Sequence, residues 1–133
     1  MNYTRASIYS YVRGKIMSAF PSAYVSARYE PMPPKMPAVF IEQVNKTRTQ
    51  RHIDFSYSDG QYVSTFEAQV FSNSKNGALA EAEAIMKTVE GAFNDIFFYE
   101  TYCAPIYNAD NTVYRLTARF TKQIAEGDEI TTT

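Results

Sequence analysis

The sequence predicts an α+β fold, in which a mostly antiparallel sheet packs against an N-terminal helix and a long central helix. Three observations predict it. Apolar residues recur at spacings of three and four over residues 77–97, which is the period of an amphipathic helix. Residues 62–71 and 114–120 instead alternate between two kinds of side chain, as half-buried strands do. The Ser-Asp-Gly run at residues 58–60 is typical of a hairpin turn. The expected element order is α-β-β-β-β-α-β-β.

The first helix is predicted over residues 3–20. Ile8, Val12 and Ile16 recur there on one face, with basic residues elsewhere on the helix. Pro21 follows, and a proline disfavours continuation of a helix because it lacks a backbone N–H and clashes with the preceding turn. We therefore expect the helix to pack one face on the sheet and to end before Pro21.

The next segments are predicted to be strands separated by a stiff link. Residues 23–30 alternate as a strand, and the four prolines of residues 31–37 then favour an extended connector, whose structural role we prefer over that of a proline-rich ligand. Residues 38–44 and 53–57 are predicted to pair with each other across a loop at residues 45–52. That loop holds the densest group of basic residues in the chain, Lys46, Arg48 and Arg51.

The second half is predicted as a strand, a long helix and a hairpin. In the strand, the core face is expected to carry the set Tyr62, Ser64, Phe66, Ala68 and Val70. In the helix, the buried stripe is expected to comprise Leu79, Ala82, Ile85, Met86, Val89, Phe93, Ile96 and Phe97. The closing hairpin is predicted to pair residues 98–107 with residues 112–124. One face of its last strand is apolar and the other carries Arg115 and Arg119. Its unusual length suggests that part of it extends past the sheet or pairs with something else.

The composition describes one folded domain. The chain has 133 residues, of which 45% are hydrophobic and 20% charged, and we expect a single domain over residues 1–124 followed by a mobile tail at residues 125–133. No apolar run resembles a signal peptide or a membrane span, so we expect a protein made in the cytoplasm with no membrane partner. Cys103, the single cysteine, is expected to be a small buried hydrophobe.

The net charge of -1 conceals an asymmetry along the chain. Residues 1–58 carry eight Lys and Arg against three Asp and Glu, whereas residues 59–133 carry five against eleven. If these parts form different faces, copies of the chain could associate head to tail with opposite charges in contact. An ordinary solvated surface is the simpler alternative.

The run from Val70 to Met86, VFSNSKNGALAEAEAIM, stands where a phosphate-binding loop would lie in a nucleotide-binding enzyme. A P-loop requires two glycines followed directly by Lys and Ser or Thr, and this run has one glycine, which follows its lysine. The run is better explained as a strand-to-helix junction rich in helix-capping residue types, namely Ser72, Asn73, Ser74 and Asn76.

Catalytic, cofactor and metal sites are not predicted. His52 is the single histidine, which excludes a histidine-based metal site or histidine dyad. The acidic residues of the second helix lie on its solvated face, where their pKa values would not be tuned for catalysis. An assembly of Glu30, Glu42 and Asp54 remains an open alternative, but an enzyme is not expected.

Three segments resemble the tail terminator, or tail completion, proteins of long-tailed bacteriophages, which are also described as minor capsid or head-tail joining proteins. The segments are PAVFIEQ, FEAQVFSNSKNGALAEAEAIMKTV and CAPIYNADNTVYRLTARF, and the resemblance runs from about Pro37 to Ile124. It implies the lambda tail terminator-like α+β fold. One departure is that family members often carry a glycine between the second helix and the hairpin, whereas residues 94–102 contain none.

The resemblance implies a structural virion protein of the tail or neck, assembled in the host cytoplasm. Such proteins form a homo-oligomeric ring, commonly hexameric, that caps the tail tube and joins it to the head connector or stopper, while DNA passes through the lumen without specific binding. Our candidates for subunit, tube or lumen contacts are Lys46, Arg48, Arg51, Arg115 and Arg119. The alternatives are a nucleic-acid-binding module, which the pI of 5.8 disfavours, or another neck or head-completion protein.

Overall fold

The computed structural model of the protein describes residues 2–48, 61–74, 77–106, 113–125 and 128–130, with only the backbone at Arg48 and Gln61. In chain order its elements are α1 (Arg5–Ala19), β1 (Tyr24–Ser26), β2 (Ala38–Arg48), β3 (Gln61–Ser72), α2 (Ala78–Asp95), β4 (Tyr99–Ile106) and β5 (Tyr114–Ala125).

The five described strands form one mixed sheet in the order β1-β2-β3-β5-β4. β1 runs parallel to β2, and the other three neighbouring pairs are antiparallel. The predicted α+β class with a mostly antiparallel sheet is therefore confirmed. Five of the six predicted strands lie among the described residues, and the sixth prediction, at residues 53–57, lies outside them.

β2 is longer than predicted, and its antiparallel partner is β3. The register runs from Ala38 opposite Phe71 to Arg48 opposite Tyr62, with a bulge between Gln43 and Asn45. The first four residues of the predicted loop at 45–52 are thus strand. The bulge adds one unpaired residue to β2, and backbone pairing continues beyond it to the end of the strand.

β3 and β5 pair along their whole length. Each has twelve residues, and every one of them has a partner, from Gln61 opposite Ala125 to Ser72 opposite Tyr114. The prediction that part of the last strand extends past the sheet was wrong on this side, because β3 is equally long. The predicted hairpin is confirmed in its strands, β4 and β5, and its turn lies outside the described residues.

Both helices pack on one face of the sheet and bury the main core against it. α1 contacts β1 and β2, and α2 contacts β3, β5 and β4. The predicted α1 face of Ile8, Val12 and Ile16 is fully buried. Under α2, the rings of Phe93 and Phe120 stack with centroids 4.3 Å apart and an interplanar angle of 10°. These apolar side chains lose their contact with water together, which is the main favourable contribution to the fold.

The predicted stripe of α2 is confirmed at its centre and wrong at its ends. Leu79 and Phe97 are 49% and 47% exposed, whereas the other six predicted residues are buried. Phe97 has φ of 68°, the left-handed conformation that usually follows a helix. The Phe98 N–H donates to the Phe93 carbonyl at 3.0 Å as the chain reverses. Phe97 thus takes the position that a glycine usually fills, and its side chain is turned away from the stripe.

The start of α2 is not capped as predicted. Its N-cap is Gly77, with φ of 131° and no side-chain capping bond. Ser72 is instead the buried last residue of β3, and its hydroxyl donates to Glu81 Oε1 in the first turn of α2 at 2.6 Å. The Ser74 N–H donates back to the same hydroxyl at 3.4 Å. Ser72 therefore ties the strand to the helix, while Asn76 lies outside the described residues.

The Phe93 ring is the packing centre between α2 and the sheet, and we expect Phe93→Ala to destabilise the fold by about 3–5 kcal/mol because the cavity cannot fill. Urea unfolding followed by circular dichroism measures this change. Leu79→Ala, on the exposed end of the same helix, is the control and should cost less than about 1 kcal/mol. Equal losses for the two variants would contradict this assignment of the core.

Candidate interaction surfaces

Among the described residues no helix packs on the sheet face opposite α1 and α2, and we call it the open face. Its β2 end is nevertheless covered by the link between β1 and β2, because Tyr29 and Met36 pack there and leave Phe40 and Phe71 only 1% and 3% exposed. At one end it carries a small aromatic cluster built from Phe40, Phe71 and Tyr29. The Phe40 and Phe71 rings lie edge to face with centroids 5.3 Å apart, and Tyr29 lies 5.8 Å from Phe40. The Arg115 guanidinium carbon lies 4.6 Å from the Phe71 centroid, and its Nη2 donates to Gln69 Oε1 at 3.0 Å.

Beyond this cluster the open face carries a cross-strand ion pair. Glu67 and Arg119 are opposite each other on β3 and β5, and Arg119 Nε lies 3.0 Å from Glu67 Oε2. The Arg119 side chain is 55% exposed, so the pair is screened by water and contributes only about 0–1 kcal/mol to stability. Thr117 lies between the two arginines, and its buried hydroxyl has no partner within the described part of the chain.

The expectation that the open face is basic was incomplete. Glu67 is opposite Glu42 on the neighbouring strand β2, and the Glu42 carboxylate accepts the Tyr29 N–H at 3.3 Å. These two carboxylates balance the charges of Arg115 and Arg119. Among its described residues the open face therefore combines both signs of charge with the Tyr29 ring, which is 41% exposed, and this suits a protein partner better than a polyanion.

The five predicted contact residues do not lie on one surface. Arg115 and Arg119 share the open face, whereas Lys46 is opposite Ser64, whose side chain is buried on the helix side. Lys46 Nζ lies 4.3 Å from the Tyr62 ring centroid. Arg48 is the last residue of β2, and Arg51 lies outside the described residues. Their roles as contacts stay predictions.

A groove of about 850 Å³ runs between α2 and the edge strand β4, on the helix side of the sheet. From α2 it is lined by Glu83, Lys87 and Glu90, and from β4 by Cys103 and Pro105, among others. Cys103 is exposed, against the prediction, because α2 covers this edge strand only in part. Partial burial and the carboxylates of Glu100, Glu90 and Glu83 raise the pKa of the Cys103 thiol, which keeps it protonated.

Glu90 and Glu100 form a carboxyl pair beside this groove. Partial burial of the Glu100 carboxyl, together with its hydrogen bond to Glu90 and the Glu90 charge, raises its pKa from 4.5 to about 7. Two carboxylates that close together favour a shared proton. The pair therefore changes charge near neutral pH.

A second groove, of about 390 Å³, lies at the other edge of the sheet beside β1. Arg5 and Arg28 line it together with Tyr9 and Glu42. The Tyr9 hydroxyl donates to the Val25 carbonyl of β1 at 3.4 Å, which holds α1 against this edge. Burial raises the pKa of Tyr9, and the nearby Arg13 partly opposes that increase. This edge is thus bordered by arginines.

The described residues contain no cluster of three or more metal-ligating side chains. Of the alternative set Glu30, Glu42 and Asp54, the last lies outside them. None of the helices described here is both long enough and apolar enough to cross a membrane.

The fold matches that of a virion component. No protein family and no curated protein matches the sequence. A chain from the virion of a native gene transfer agent particle matches with a TM-score of 0.62 at 13% identity. The match covers 93% of this chain and 99% of that one. The two chains share a fold. Because both are covered almost completely, the shared unit is the whole α+β domain.

Sequence reasoning missed several residues of these surfaces. Alternation placed Glu67 and Gln69 on the non-core face, but their pairing with arginines of β5 depends on the register of two distant strands. The Glu90–Glu100 pair and the position of Arg13 beside Tyr9 require knowing which helix covers which strand. Spacing within a single element contains no such signal.

The Glu90–Glu100 pair predicts a measurable titration. By NMR of side-chain carboxyl carbons, Glu100 should titrate near pH 7, and Glu90→Gln should lower that pKa because the neighbouring charge is removed. Glu83→Gln, also on α2, is the control and should change it less. A Glu100 midpoint in the ordinary range for glutamate in the unaltered protein would contradict the pairing.

The raised pKa of Glu100 also determines how the free energy of unfolding changes with pH. A carboxyl whose pKa is higher in the folded state contributes stability below its unfolded pKa of 4.5, and this contribution is lost as the pH rises through about 7. Glu100→Gln removes the titrating group. The unfolding free energy of that variant should therefore fall less steeply across this pH range than that of the unaltered chain.

Proposed function

We propose that this protein is a structural subunit of a tailed virion, and that it acts as a tail terminator whose ring caps the tail tube and joins it to the head connector. The observation that carries the proposal is the fold shared with a gene transfer agent virion chain over 93% of this chain and 99% of that chain. The resemblance of residues 37–124 to tail terminators supports the narrower role.

The surfaces support a role in assembly over one in catalysis. The open face presents the Tyr29 ring, an ion pair and two arginines, which are residue types typical of protein interfaces. The acidic groove beside β4 and the arginine-bordered groove beside β1 provide further contact surfaces at opposite edges of the sheet. The proposed role involves no reaction.

In this role the chain forms a closed homo-oligomer, which we expect to be hexameric, in the neck of the virion. Its partners are the tail tube protein on one side and the connector or stopper protein on the other, with DNA passing through the lumen. Proteins of this kind are assembled in the host cytoplasm before they become part of the virion. We retain five residues as candidate contacts: Lys46, Arg48, Arg51, Arg115 and Arg119.

Electron microscopy of the purified protein, alone and with tail tubes of the same virion, tests this role. We expect closed rings in solution or at one end of each tube, because a cap binds the terminal tube ring and leaves no free site for further growth. Tubes polymerised with the protein present should be shorter than tubes polymerised without it. Absence of both rings and tube-end binding would contradict the proposal.

Two single substitutions locate the surface that faces the tube. Arg119 lies on the open face and Lys46 on the helix side, so one flat partner surface contacts only one of them. We expect either Arg119→Ala or Lys46→Ala, but not both, to weaken tube-end binding in a sedimentation assay. Circular dichroism controls for folding. Equal weakening by both would contradict contact through a single face.

A nucleic-acid-binding role is the alternative, favoured by the basic residues Lys46 and Arg48 near the end of β2. Titration of labelled single- and double-stranded DNA at two salt concentrations distinguishes this alternative from the structural role. Phosphate contacts make affinity fall steeply with salt, so salt-sensitive micromolar binding by the monomer would favour this alternative. The structural role predicts weak binding that does not depend on sequence.

A further inference from the structure

The helix layer is polarised from one edge of the sheet to the other. α1 carries Arg5, Arg13 and Lys15 and no acidic residue, which gives a formal charge of +3. α2 carries four acidic residues and Lys87, which gives -3. α1 contacts β1 and β2, whereas α2 contacts β3, β5 and β4. Opposite charges therefore lie over opposite edges of one sheet.

At the β1 edge, three arginines form what we call the β1 flank: Arg5, Arg13 and Arg28. All three are exposed. Arg5 and Arg28 line the smaller groove, and Arg13 lies beside Tyr9, which is held to β1 by its hydrogen bond to Val25. Glu42 also lines this groove, but its carboxylate accepts the Tyr29 N–H. The β1 flank therefore has a net positive charge.

At the β4 edge, three glutamates form what we call the β4 flank: Glu83, Glu90 and Glu100. Glu83 is exposed and Glu90 half-buried, and both line the larger groove. Lys87 lines it too and offsets one of the charges. Glu100 and Glu90 share a hydrogen bond, which holds two carboxyl groups close together. A cation from outside would relieve their repulsion.

We propose that the β1 flank of one copy docks into the α2–β4 groove of the next copy, so that arginines of one subunit meet the glutamates of its neighbour. This inference rests on the proposed ring and specifies its subunit contact. The two flanks are different surfaces at opposite ends of the strand order β1-β2-β3-β5-β4. Such a contact is head to tail, and it leaves unpaired flanks until a ring closes.

The contact should also depend on pH. The groups that face Glu100 are Glu90 from α2 and Cys103 from its own strand, and Glu83 and Lys87 border the same groove. An approaching arginine favours the ionised form of Glu100, so the subunit contact releases a proton near neutral pH. Association should strengthen as the pH rises through about 7, and Glu100→Gln should weaken that dependence.

Charge-reversed variants test the contact. Glu83→Lys with Glu100→Lys makes the β4 flank basic, and Arg13→Glu with Arg28→Glu makes the β1 flank acidic. Each double variant alone brings like charges together, and we expect its self-association to weaken by about tenfold or more. Mixed in equal amounts, the two variants restore opposite charges at every interface, so only the mixture should form rings. Their mass should correspond to equal numbers of both chains.

Lys15→Glu provides the matched control. It reverses a charge on the same helix as Arg13, but Lys15 Nζ lies 5.6 Å from the Tyr11 ring centroid, on the side where the Tyr11 hydroxyl donates to Asp95 of α2. It should leave association nearly unchanged. Sedimentation velocity and mass photometry give the oligomer distribution, and circular dichroism confirms that each variant is folded. If the unaltered chain assembles only on tube ends, the same comparison is made there.

The possible outcomes distinguish failure of the proposed flank contact from failure of the proposed ring. Rings formed by the unaltered chain and by both double variants alike would overturn the flank contact and leave the terminator role intact. Failure of the mixture to assemble, when both variants are folded and the unaltered chain forms rings, would overturn it too. Failure of the unaltered chain to assemble in solution and on tubes would count against the proposed function itself.

Discussion

The uninterrupted pairing of β3 with β5 is the constraint on which the other features depend. Side chains alternate between the two faces of a strand, so one register fixes the face of every residue on both strands. It places Phe66 and Phe120 on the helix side and Glu67 and Arg119 on the other. A slip of one residue would expose the aromatic rings and bury the ion pair. The pairing therefore separates the core from the open face.

Hydrophobic burial on the helix side determines where interaction surfaces can exist. α2 covers β3 and β5, where it packs Phe93 on Phe120, and it leaves the edge strand β4 partly uncovered. The acidic groove lies along that boundary. Among the described residues no helix packs on the opposite face, and cross-strand pairs such as Arg115 with Gln69 lie there instead. The same sheet thus has one face that buries the main core and a second face on which polar cross-strand pairs lie beside a small buried aromatic cluster.

Much of the fold could be predicted because its signals are local. The 3.6-residue period of α2 and the alternation of residues 62–71 identify elements and faces without knowledge of their neighbours. The failures concern relations between elements. The partner of β2 proved to be β3, which no spacing in the sequence indicates. Leu79 continues the apolar period of α2 but lies 49% exposed at its start, because packing against the sheet has ended there.

The turn after α2 is a second case in which local sequence signals do not predict the structure, and it concerns one residue. The chain must reverse through a left-handed conformation, which side chains usually disfavour and glycine tolerates. Phe97 adopts it with φ of 68° and keeps about half of its side chain exposed. Tertiary packing of Phe93 and Phe98 on either side, with centroids 5.4 Å apart, outweighs the local preference. Residue type alone does not reveal that balance.

The site was less predictable than the fold, because its charges become a surface only through topology. In sequence, the first part of the chain is basic and the second acidic. The strand order β1-β2-β3-β5-β4 keeps early elements at one edge and late elements at the other. A difference along the chain therefore becomes a difference across the molecule. Had β4 paired beside β1, the arginines and glutamates would neutralise each other within one subunit. The observed order leaves them apart, as the proposed contact between copies requires.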